Sequence, residues 1–386
     1  MRYFLFLSLC VLAVYAATGE EIYYIYKTKG IKSVEEFLKK EYESKEVKEP
    51  TVPVQSAKEL KREQQARERE EQQAAREAAR EVAAAPVKEN KVKVVKVKNP
   101  TEKELMSRDF WLKQLRGMEL SYGYYENVDS LIVCEKERKR CEVFRNDDDG
   151  LKLVKVHEDV IMGKGGDKLR RGDLKTPVGV YEIIKRFKPT NQFYGPLAFA
   201  LSYPNLFDVL RGRNGDGIWI HGMPLDGKDR DDLSKGCVVF DNTTILTLDT
   251  EINAQSSVVI IGENKVPKMS KELTASILSE VYRWQHAWKI NDINAYLNYY
   301  SNDFKKSDGS GKLQFSNMKK QIFSRKENKT IIFEHMSVSP YPSIDERKLY
   351  KISFDQTYKA PSLSSKGEKE LYVEMIGEKM YILAEK

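Results

Sequence analysis

The chain carries the stretch GIWIHG at residues 217–222 and, after a polar loop, SKGCVVF at residues 234–240. His221 ends an apolar, strand-like run, and Cys237 follows it by 16 residues in a turn of small residues. A free thiol is mostly protonated at neutral pH, because its ordinary pKa is about 8.5. A nearby imidazole can take that proton and orient the sulfur. The pattern is typical of a cysteine nucleophile with a histidine base, and a buried structural cysteine is the alternative.

Three further stretches precede or join this pair: KTPVGVY at residues 175–181, YG at residues 194–195 and LSYPN at residues 201–205. Together with the histidine and cysteine segments they resemble the L,D-transpeptidase (YkuD-like) catalytic domain, over roughly residues 123–264. The resemblance implies a β-sandwich-like fold with a loop capping the cleft, and it implies no metal or organic cofactor. The implied substrates are peptidoglycan stem peptides, attacked at the L-centre carbonyl of the third residue with release of the terminal D-alanine.

The resemblance also implies roles for residues at matching positions. Cys237 is implied to be the nucleophile and His221 its general base. Ser234, Gly236 and Gly222 are implied to support the catalytic turn. Because small residues let a carbonyl approach the backbone, we expect the N–H groups of Gly236 and Cys237 to donate to the oxyanion of the intermediate.

Val239 departs from the family pattern, since many members carry an arginine two places after the cysteine. Any contact of that arginine with a substrate carboxylate must be supplied elsewhere in this chain. The candidate substrate contacts are Tyr194, Lys235, Arg211 and Arg213, with Arg170 and Arg171 as further cations nearby in sequence. The alternative for each charged side chain is a solvated surface position.

The chain as a whole has 386 residues, a length that predicts two or three domains. With 32% charged and 41% hydrophobic residues it lacks the repeated apolar runs of a multi-span membrane protein. The net charge of +7 is too diffuse to indicate a nucleic-acid partner, although it favours an anionic one.

The N-terminus has the features of a targeting segment. Arg2 precedes an apolar run over residues 3–15, which ends in the small-x-small site Val14-Tyr15-Ala16. This pattern predicts a signal peptide over residues 1–16 that exports the chain to the periplasm. The alternative is an uncleaved segment that tethers the protein to the membrane.

Residues 17–99 predict a charged, partly helical extension and linker. Over residues 56–84 the composition is dominated by Glu, Arg, Gln and Ala, with opposite charges at helical spacing. Its apolar residues are nearly all alanine, so a solvated helix is favoured over a coiled coil. Within residues 100–121 we expect one helix, capped by Thr101 with Glu104, that packs on the following domain or forms a homodimer with a second copy.

Residues 122–264 predict a mainly-β domain, because short Val/Ile/Tyr/Phe runs alternate with glycine-bearing turns. Cys134 and Cys141 flank a six-residue charged turn, Glu135 to Arg140, and a hairpin would bring them together. A disulfide and two half-buried thiols both fit this spacing. The other histidines, His157, His286 and His335, lack metal-ligand spacing, and we expect His157 to be exposed in a turn.

Residues 268–386 predict a separate α+β domain that is stable alone. A second helix and several strands are expected after a first helix with one apolar face. Five apolar residues share that face: Leu273, Ile277, Val281, Trp284 and Trp288. The segment from Trp284 to Phe304 resembles the opening helices of NTF2-like domains. That resemblance implies a sheet wrapped by helices, with a pocket for a small ligand or glycan.

The order of the segments resembles the cell-shape L,D-carboxypeptidases of helical epsilonproteobacteria. If water resolves a Cys237 acyl-enzyme, the chain is an L,D-carboxypeptidase that trims tetrapeptides to tripeptides. If an amine resolves it, the chain is an L,D-transpeptidase that forms 3–3 crosslinks or attaches a protein. A third alternative is a non-catalytic wall-binding scaffold, which the presence of both His221 and Cys237 disfavours. The domain order favours the carboxypeptidase.

Overall fold

The computed structural model describes residues 100–227, 232–345 and 347–386, all within one compact unit, Val95–Lys386. The predicted signal peptide and charged extension lie outside the described residues. Among the residues described, no helix is long and apolar enough to cross a membrane. The fold class is confirmed for the rest: a mainly-β domain over residues 122–264 (the β domain) is followed by an α+β C-terminal domain.

Two short helices open the described chain, α1 (Glu102–Leu105) and α2 (Arg108–Gln114), where one was expected. The capping box of Thr101 and Glu104 is present. Ser107 breaks the helix because its backbone is extended and its side chain accepts a hydrogen bond from the Phe110 N–H, which starts α2. The short strand β1 (Tyr124–Tyr125) follows.

The β domain is built on an eight-stranded sheet. Its elements are β2 (Ser130–Glu135), β3 (Arg140–Asp147), β4 (Gly150–His157), β5 (Gly179–Phe187), β6 (Ala198–Leu201), α3 (Leu206–Leu210), β7 (Trp219–His221), β8 (Val238–Val239), α4 (Asn242–Glu251) and β9 (Ser257–Gly262). The strand order is β4-β3-β2-β9-β5-β6-β7-β8. The pairs β2–β9 and β7–β8 are parallel, and the second of these pairs positions the site.

The central strands of this sheet are buried on both faces. On β2, Ile132 and Cys134 belong to the core of the β domain. Leu131 and Val133 belong to a second core that the C-terminal domain shares. Successive side chains of a strand point to opposite faces, which explains why the run from Leu131 to Cys134 is apolar without alternation.

Cys134 and Cys141 form a disulfide across the β2–β3 hairpin. They are directly paired in register, with their Cα atoms 4.1 Å apart. Of the two alternatives that the spacing left open, the disulfide is therefore the one the structure has.

The C-terminal domain wraps helices around a six-stranded sheet. Its elements are α5 (Lys271–Lys289), α6 (Ile293–Leu297), β10 (Tyr300–Lys306), α7 (Lys312–Phe323), β11 (Thr330–Tyr341), β12 (Leu349–Ala360), β13 (Leu363–Ile376) and β14 (Lys379–Glu385). Trp284 and Trp288 of α5 pack on Tyr296 in an aromatic core, as their helical spacing predicted.

Helices α1 and α2 pack on α5. Trp111 stacks on Tyr282 with ring centroids 5.8 Å apart, and Trp111 and Leu115 are buried in the C-terminal core. Glu102 binds His286 and Lys289, each at 2.7 Å. The helices therefore pack on the C-terminal domain rather than on the β domain that follows them, and a homodimer through the N-terminal helices stays a prediction.

The C-terminal domain also takes a strand from the beginning of the described chain. β1 pairs antiparallel with β11, Tyr124 opposite Val338 and Tyr125 opposite Ser337, and forms one edge of the sheet. The expected boundary at residue 268 thus leaves out residues 100–125, which supply two helices and one edge strand to the C-terminal domain. The two domains share a core as well as a chain.

A buried ion pair also joins the two domains. Lys351 of β12 is 3% exposed and contacts Glu182 of the β domain, with Glu370 of β13 at 3.3 Å. Burial by itself lowers the pKa of Lys351, but the two carboxylates more than reverse this effect and raise it. The lysine therefore stays charged inside the junction.

Candidate active site

The parallel strands β7 and β8 bring the predicted histidine and cysteine together. His221 is the last residue of β7, and Cys237 directly precedes β8. In the parallel register Ile220 is opposite Val238 and His221 is opposite Val239, so Cys237 and His221 lie two positions apart along neighbouring strands. The Phe240 N–H donates to the His221 carbonyl at 3.0 Å and secures this alignment.

His221 is fully buried and oriented by its surroundings. Its Nδ1 lies 2.7 Å from the carbonyl oxygen of Gly222. A carbonyl can only accept, so this contact fits a proton on Nδ1 and makes Nε2 the basic nitrogen. The Tyr194 ring packs edge-on against the imidazole, with centroids 5.1 Å apart. The histidine is therefore held in one orientation and one tautomer.

Of the three cysteines that the structure describes, Cys237 is the one that keeps its thiol. Its side chain is partly exposed, and Sγ donates to the carbonyl oxygen of Gly217 at 3.5 Å. A thiol that is reachable from solvent and directed by a backbone acceptor suits a nucleophile better than a structural role.

Ser234 ties the catalytic turn together. Its Oγ donates to the Cys237 carbonyl at 2.6 Å and accepts from the Gly236 N–H at 3.1 Å. The Ser234 N–H in turn donates to the carbonyl of Met162 at 2.9 Å. The Gly236 N–H is engaged inside the turn, so the structure places Gly236 as support for the turn, and its expected role as an oxyanion donor stays a prediction.

Glycine is required at position 236 by its conformation and by a close neighbour. Its φ of +127° lies in a region that other residues rarely adopt. A Cβ there would also come within 2.8 Å of the Lys175 carbonyl oxygen. The KTPVGVY stretch and the cysteine turn are therefore in direct contact, as two parts of one site.

Gly222 and Tyr194 shape the histidine side. The Gly222 N–H donates to the Tyr194 carbonyl at 3.2 Å, and a Cβ on Gly222 would collide with the Asn242 side chain. The Tyr194 ring also packs on Trp219, with centroids 4.9 Å apart. The structure thus places Tyr194 beside His221, while its contact with substrate stays a prediction.

Arg211 and Arg213 do not point their charges at the cleft. Arg213 Nη1 contacts Asp167 and lies 3.1 Å from Asp208 Oδ1, and Arg211 Nη2 lies 3.2 Å from the same oxygen. Asp208 is fully buried. The expected role of these arginines as substrate cations is therefore not supported, because buried carboxylates bind both guanidinium groups.

The remaining basic candidates have exposed side chains. Arg171 pairs with Asp216, and Arg170 and Lys235 are exposed to solvent. A substrate contact by Lys235, next to Gly236, stays a prediction. Val239 is 1% exposed and exchanges two backbone hydrogen bonds with Ile161, of 3.0 and 2.8 Å. Position 239 therefore holds a buried side chain in this chain.

The other three histidines lie outside this site. His157 was expected to be exposed but is 6% exposed and packs on Phe240, with centroids 5.4 Å apart, because it is the last residue of β4. His286 pairs with Glu102, and His335 pairs with Asp355 at 2.8 Å. Among the described residues no group of three or more His, Cys, Asp or Glu is arranged to hold a metal.

Sequence reasoning missed two residues that contact the catalytic turn or orient the thiol. Gly217 supplies the acceptor for the thiol, and the Lys175 carbonyl packs on Gly236. Three glycines in GRNGDG at residues 212–217 were a usable signal, since such a segment favours close backbone approach. The Lys175 contact had no local signal.

This arrangement places a cysteine and a histidine on adjacent strands of a mainly-β domain. Residues 129–261 match the L,D-transpeptidase catalytic domain family (YkuD), and residues 276–386 match the Cds6 C-terminal NTF2-like domain. The chain belongs to the YkuD L,D-transpeptidase family, in a form that carries a C-terminal NTF2-like domain.

Solved structures give the same relationship. The chain is 38% identical to the helical cell shape determining protein Pgp2 from Campylobacter jejuni, covering 73% of this chain and 100% of that one, with a TM-score of 0.70. A point mutant of Pgp2 matches with 37% identity, 74% and 100% coverage, and a TM-score of 0.71. Bd1075 from Bdellovibrio bacteriovorus matches with 26% identity, 70% and 96% coverage, and a TM-score of 0.56. No curated protein matches the chain.

Proposed function

We propose that the protein is a peptidoglycan L,D-carboxypeptidase that removes the terminal D-alanine from tetrapeptide stems through an acyl-enzyme on Cys237. The observation that supports this proposal is the pairing of β7 with β8, which brings a partly exposed Cys237 and an oriented His221 onto neighbouring strands, two positions apart. A role in peptidoglycan modification is what the YkuD family and the similarity to Pgp2 support.

The first half of the reaction forms a thioester. Nε2 of His221 takes the Sγ proton, and the thiolate attacks the L-centre carbonyl carbon of the third residue. The oxyanion of the tetrahedral intermediate accepts from the Cys237 N–H, since the Gly236 N–H is bound to Ser234. Collapse breaks the C–N bond, and the imidazolium returns its proton to the departing D-alanine amine.

The second half decides the product. With water, His221 takes a proton as the oxygen attacks the thioester, and the tripeptide leaves as a carboxylic acid while the thiol is restored. With the amine of a neighbouring stem, the same thioester gives a 3–3 crosslink. A difference of about 1.4 kcal/mol between the two barriers changes the product ratio tenfold.

Two observations favour water as the acceptor. Pgp2, which matches along its whole length, is described as a helical cell shape determining protein. Position 239, where crosslinking relatives commonly carry an arginine, holds a buried valine here. The transpeptidase is the second candidate, and a non-catalytic scaffold is disfavoured by the presence of both Cys237 and His221 on neighbouring strands.

We further propose that residues 1–16 export the protein to the periplasm and that the NTF2-like domain binds a small ligand or glycan.

The deciding experiment mixes purified protein with tetrapeptide muropeptides and excess acceptor stems, and follows the products by mass spectrometry. We expect free tripeptides and D-alanine, with little dimer. Cys237→Ala and Cys237→Ser should be folded and inactive, and His221→Ala should lose about 10²–10⁴-fold in rate. Arg186→Lys, at an exposed ion pair with Asp249, is the matched active control. A majority of 3–3 dimers would establish the transpeptidase instead. If the wild type is inactive, the non-catalytic wall-binding scaffold is the remaining candidate function.

A further inference from the structure

The acceptor of the catalytic thiol lies in a segment that is intrinsically flexible. Residues 211–217 contain Gly212, Gly215 and Gly217, with φ values of +74°, +122° and +65°. Glycine loses more backbone entropy on ordering than any other residue. The Gly217 carbonyl accepts from Cys237 Sγ, and its position therefore depends on the contacts that hold residues 211–217 in place.

Two consecutive residues anchor it. The Arg213 guanidinium contacts Asp167 and Asp208, and the Arg213 N–H donates to the Asp208 carbonyl at 2.9 Å. The Asn214 N–H donates to the Leu169 carbonyl at 3.2 Å, and the Asn214 carbonyl accepts from the Tyr203 hydroxyl at 3.1 Å. These contacts hold the segment between the 163–176 loop and helix α3, immediately before Gly217.

Asp208 is the centre of this network. It is fully buried, and Oδ2 accepts from the Tyr181 hydroxyl at 3.1 Å and from the Asn205 N–H at 3.2 Å. Oδ1 faces the Arg211 and Arg213 guanidinium groups. With Asp167, two aspartates and two arginines balance in charge here. A buried, balanced set of this kind tolerates few geometries, because losing one partner leaves an uncompensated charge.

One member of the network comes from the C-terminal domain. Tyr341, the last residue of β11, is 1% exposed. Its hydroxyl accepts from Asn205 Nδ2 at 3.1 Å and Arg211 Nη2 at 3.3 Å, and donates to Asp208 Oδ1 at 3.4 Å.

A glycine of the β domain makes room for this tyrosine. A Cβ on Gly179 would lie 2.7 Å from the hydroxyl oxygens of both Tyr181 and Tyr341. The glycine of the KTPVGVY stretch is thus required for the tyrosine of the other domain to reach Asp208.

We propose that Arg213 is a positioning residue for the Cys237 thiol, and that Tyr341 of the C-terminal domain helps to position the thiol through Asp208 and Arg213. The chain of contacts runs from Tyr341 to Asp208, to Arg213, and along four residues to the Gly217 carbonyl on Cys237 Sγ. The proposal rests on the proposed role of Cys237 as nucleophile. In it the NTF2-like domain supports the chemistry directly through one hydroxyl group.

Loosening the segment has two measurable effects. The thiol loses its fixed direction, so kcat falls while KM changes little, because substrate contacts are not altered. The Gly217 carbonyl also favours the protonated thiol, so its displacement lowers the pH at which the thiolate forms. If a residue has only a structural role, its substitution should lower the melting temperature without changing the pH at which the thiolate forms. His221, on the strand next to Cys237, is unchanged in every variant.

The test compares Arg213→Lys and Tyr341→Phe with two controls in the full chain. Arg186→Lys alters an exposed arginine–aspartate pair, and Tyr350→Phe alters a tyrosine in the other core of the C-terminal sheet. The readouts are kcat and KM on tetrapeptide muropeptides, and the alkylation rate of Cys237 by iodoacetamide against pH. Cys237→Ala provides the background from other thiols.

We expect kcat to fall about tenfold in Arg213→Lys and about threefold in Tyr341→Phe. Both losses lie in the range that the loss of one hydrogen bond of ordinary strength produces. The KM values should stay within about twofold of the wild-type value. The alkylation midpoint should move to lower pH in both, and the controls should match the wild type. Unchanged kcat and midpoint in both variants would overturn the proposal, even if their melting temperatures fall.

If Arg213→Lys does not fold, Tyr341→Phe decides, because it removes a single oxygen atom from a residue that keeps its ring packing. If the wild type does not turn over muropeptides, the proposed function fails. The alkylation profiles then still show whether Arg213 and Tyr341 position the thiol.

Discussion

The Ser234 hydroxyl donates a hydrogen bond of 2.6 Å to the carbonyl oxygen of Cys237, three residues further along the chain. The hydroxyl oxygen of Ser234 also accepts from the Gly236 N–H, so one side chain closes the whole turn. The direction of the Cys237 backbone, and with it the N–H that we propose as the oxyanion donor, therefore depends on the Ser234 side chain.

Replacing Ser234 by alanine should reduce turnover more than it reduces stability. We expect a loss of about tenfold in kcat, because two bonds that shape the turn are lost, each of ordinary strength. Steady-state kinetics with tetrapeptide muropeptides measures this loss. Ser362→Ala, an exposed serine that binds Glu327, is the matched control and should be unaffected. Equal kcat in the two variants would show that the turn does not need Ser234.

Removing the Cys134–Cys141 disulfide should destabilise the protein without affecting its chemistry. The bond closes a loop with a sequence separation of 7. Loop-closure entropy for so short a loop corresponds to about 2 kcal/mol of unfolding free energy. Denaturant melts of the Cys134→Ala/Cys141→Ala double variant should show this loss, with kcat at 25 °C retained. A loss of kcat in a folded double variant would contradict the assignment of Cys237 as the only catalytic thiol.

The junction between the domains should weaken in acid. Burial by itself raises the pKa of Glu182, but Lys351 more than reverses this, so the pKa of Glu182 is lowered from its ordinary value of 4.5. A carboxyl group with a lowered folded-state pKa stabilises the fold above its unfolded pKa. That contribution is lost as the pH falls through the folded-state pKa.

The variant Lys351→Met tests this dependence. At pH 7 we expect a loss of about 2 kcal/mol, less than for a fully buried pair because the Glu182 side chain is 39% exposed. The difference from the wild type should shrink as the pH falls through the lowered folded-state pKa of Glu182, because the carboxyl group is then neutral in both proteins. Thermal melts between pH 3 and 8 measure it, with Lys152→Met at an exposed ion pair as the control. A difference that does not change with pH would contradict the role of Glu182.

The C-terminal domain should not be stable without the residues that precede the β domain. A fragment of residues 268–386 lacks Trp111 and Leu115 of its core and the edge strand β1. Each large buried side chain that is lost costs about 2–5 kcal/mol, comparable to the whole stability of a small domain. We expect the fragment to melt without cooperativity, whereas residues 100–386 should melt cooperatively. A sharp transition in the fragment would show that these contacts are dispensable.

Local patterns predicted much of this protein. The capping box at Thr101, the hairpin cysteines and the helical face of α5 depend on residues close in sequence, and all three are present. The errors concern long-range partners. His157 was expected in solvent and Arg213 at the substrate, because a histidine beside acidic residues and an arginine near a motif do not reveal distant packing partners.

The sequence by itself predicted the family, because the histidine and cysteine segments and the three stretches before them resemble its catalytic domain, and the family match confirms this prediction. It also determined the two fold classes, because strand and helix periodicities are local. Only the tertiary structure decided that α1, α2 and β1 complete the C-terminal domain, and that Tyr341 reaches Asp208 behind the catalytic turn. Such contacts depend on which apolar faces meet and which buried charges must be balanced, and both are properties of the whole fold.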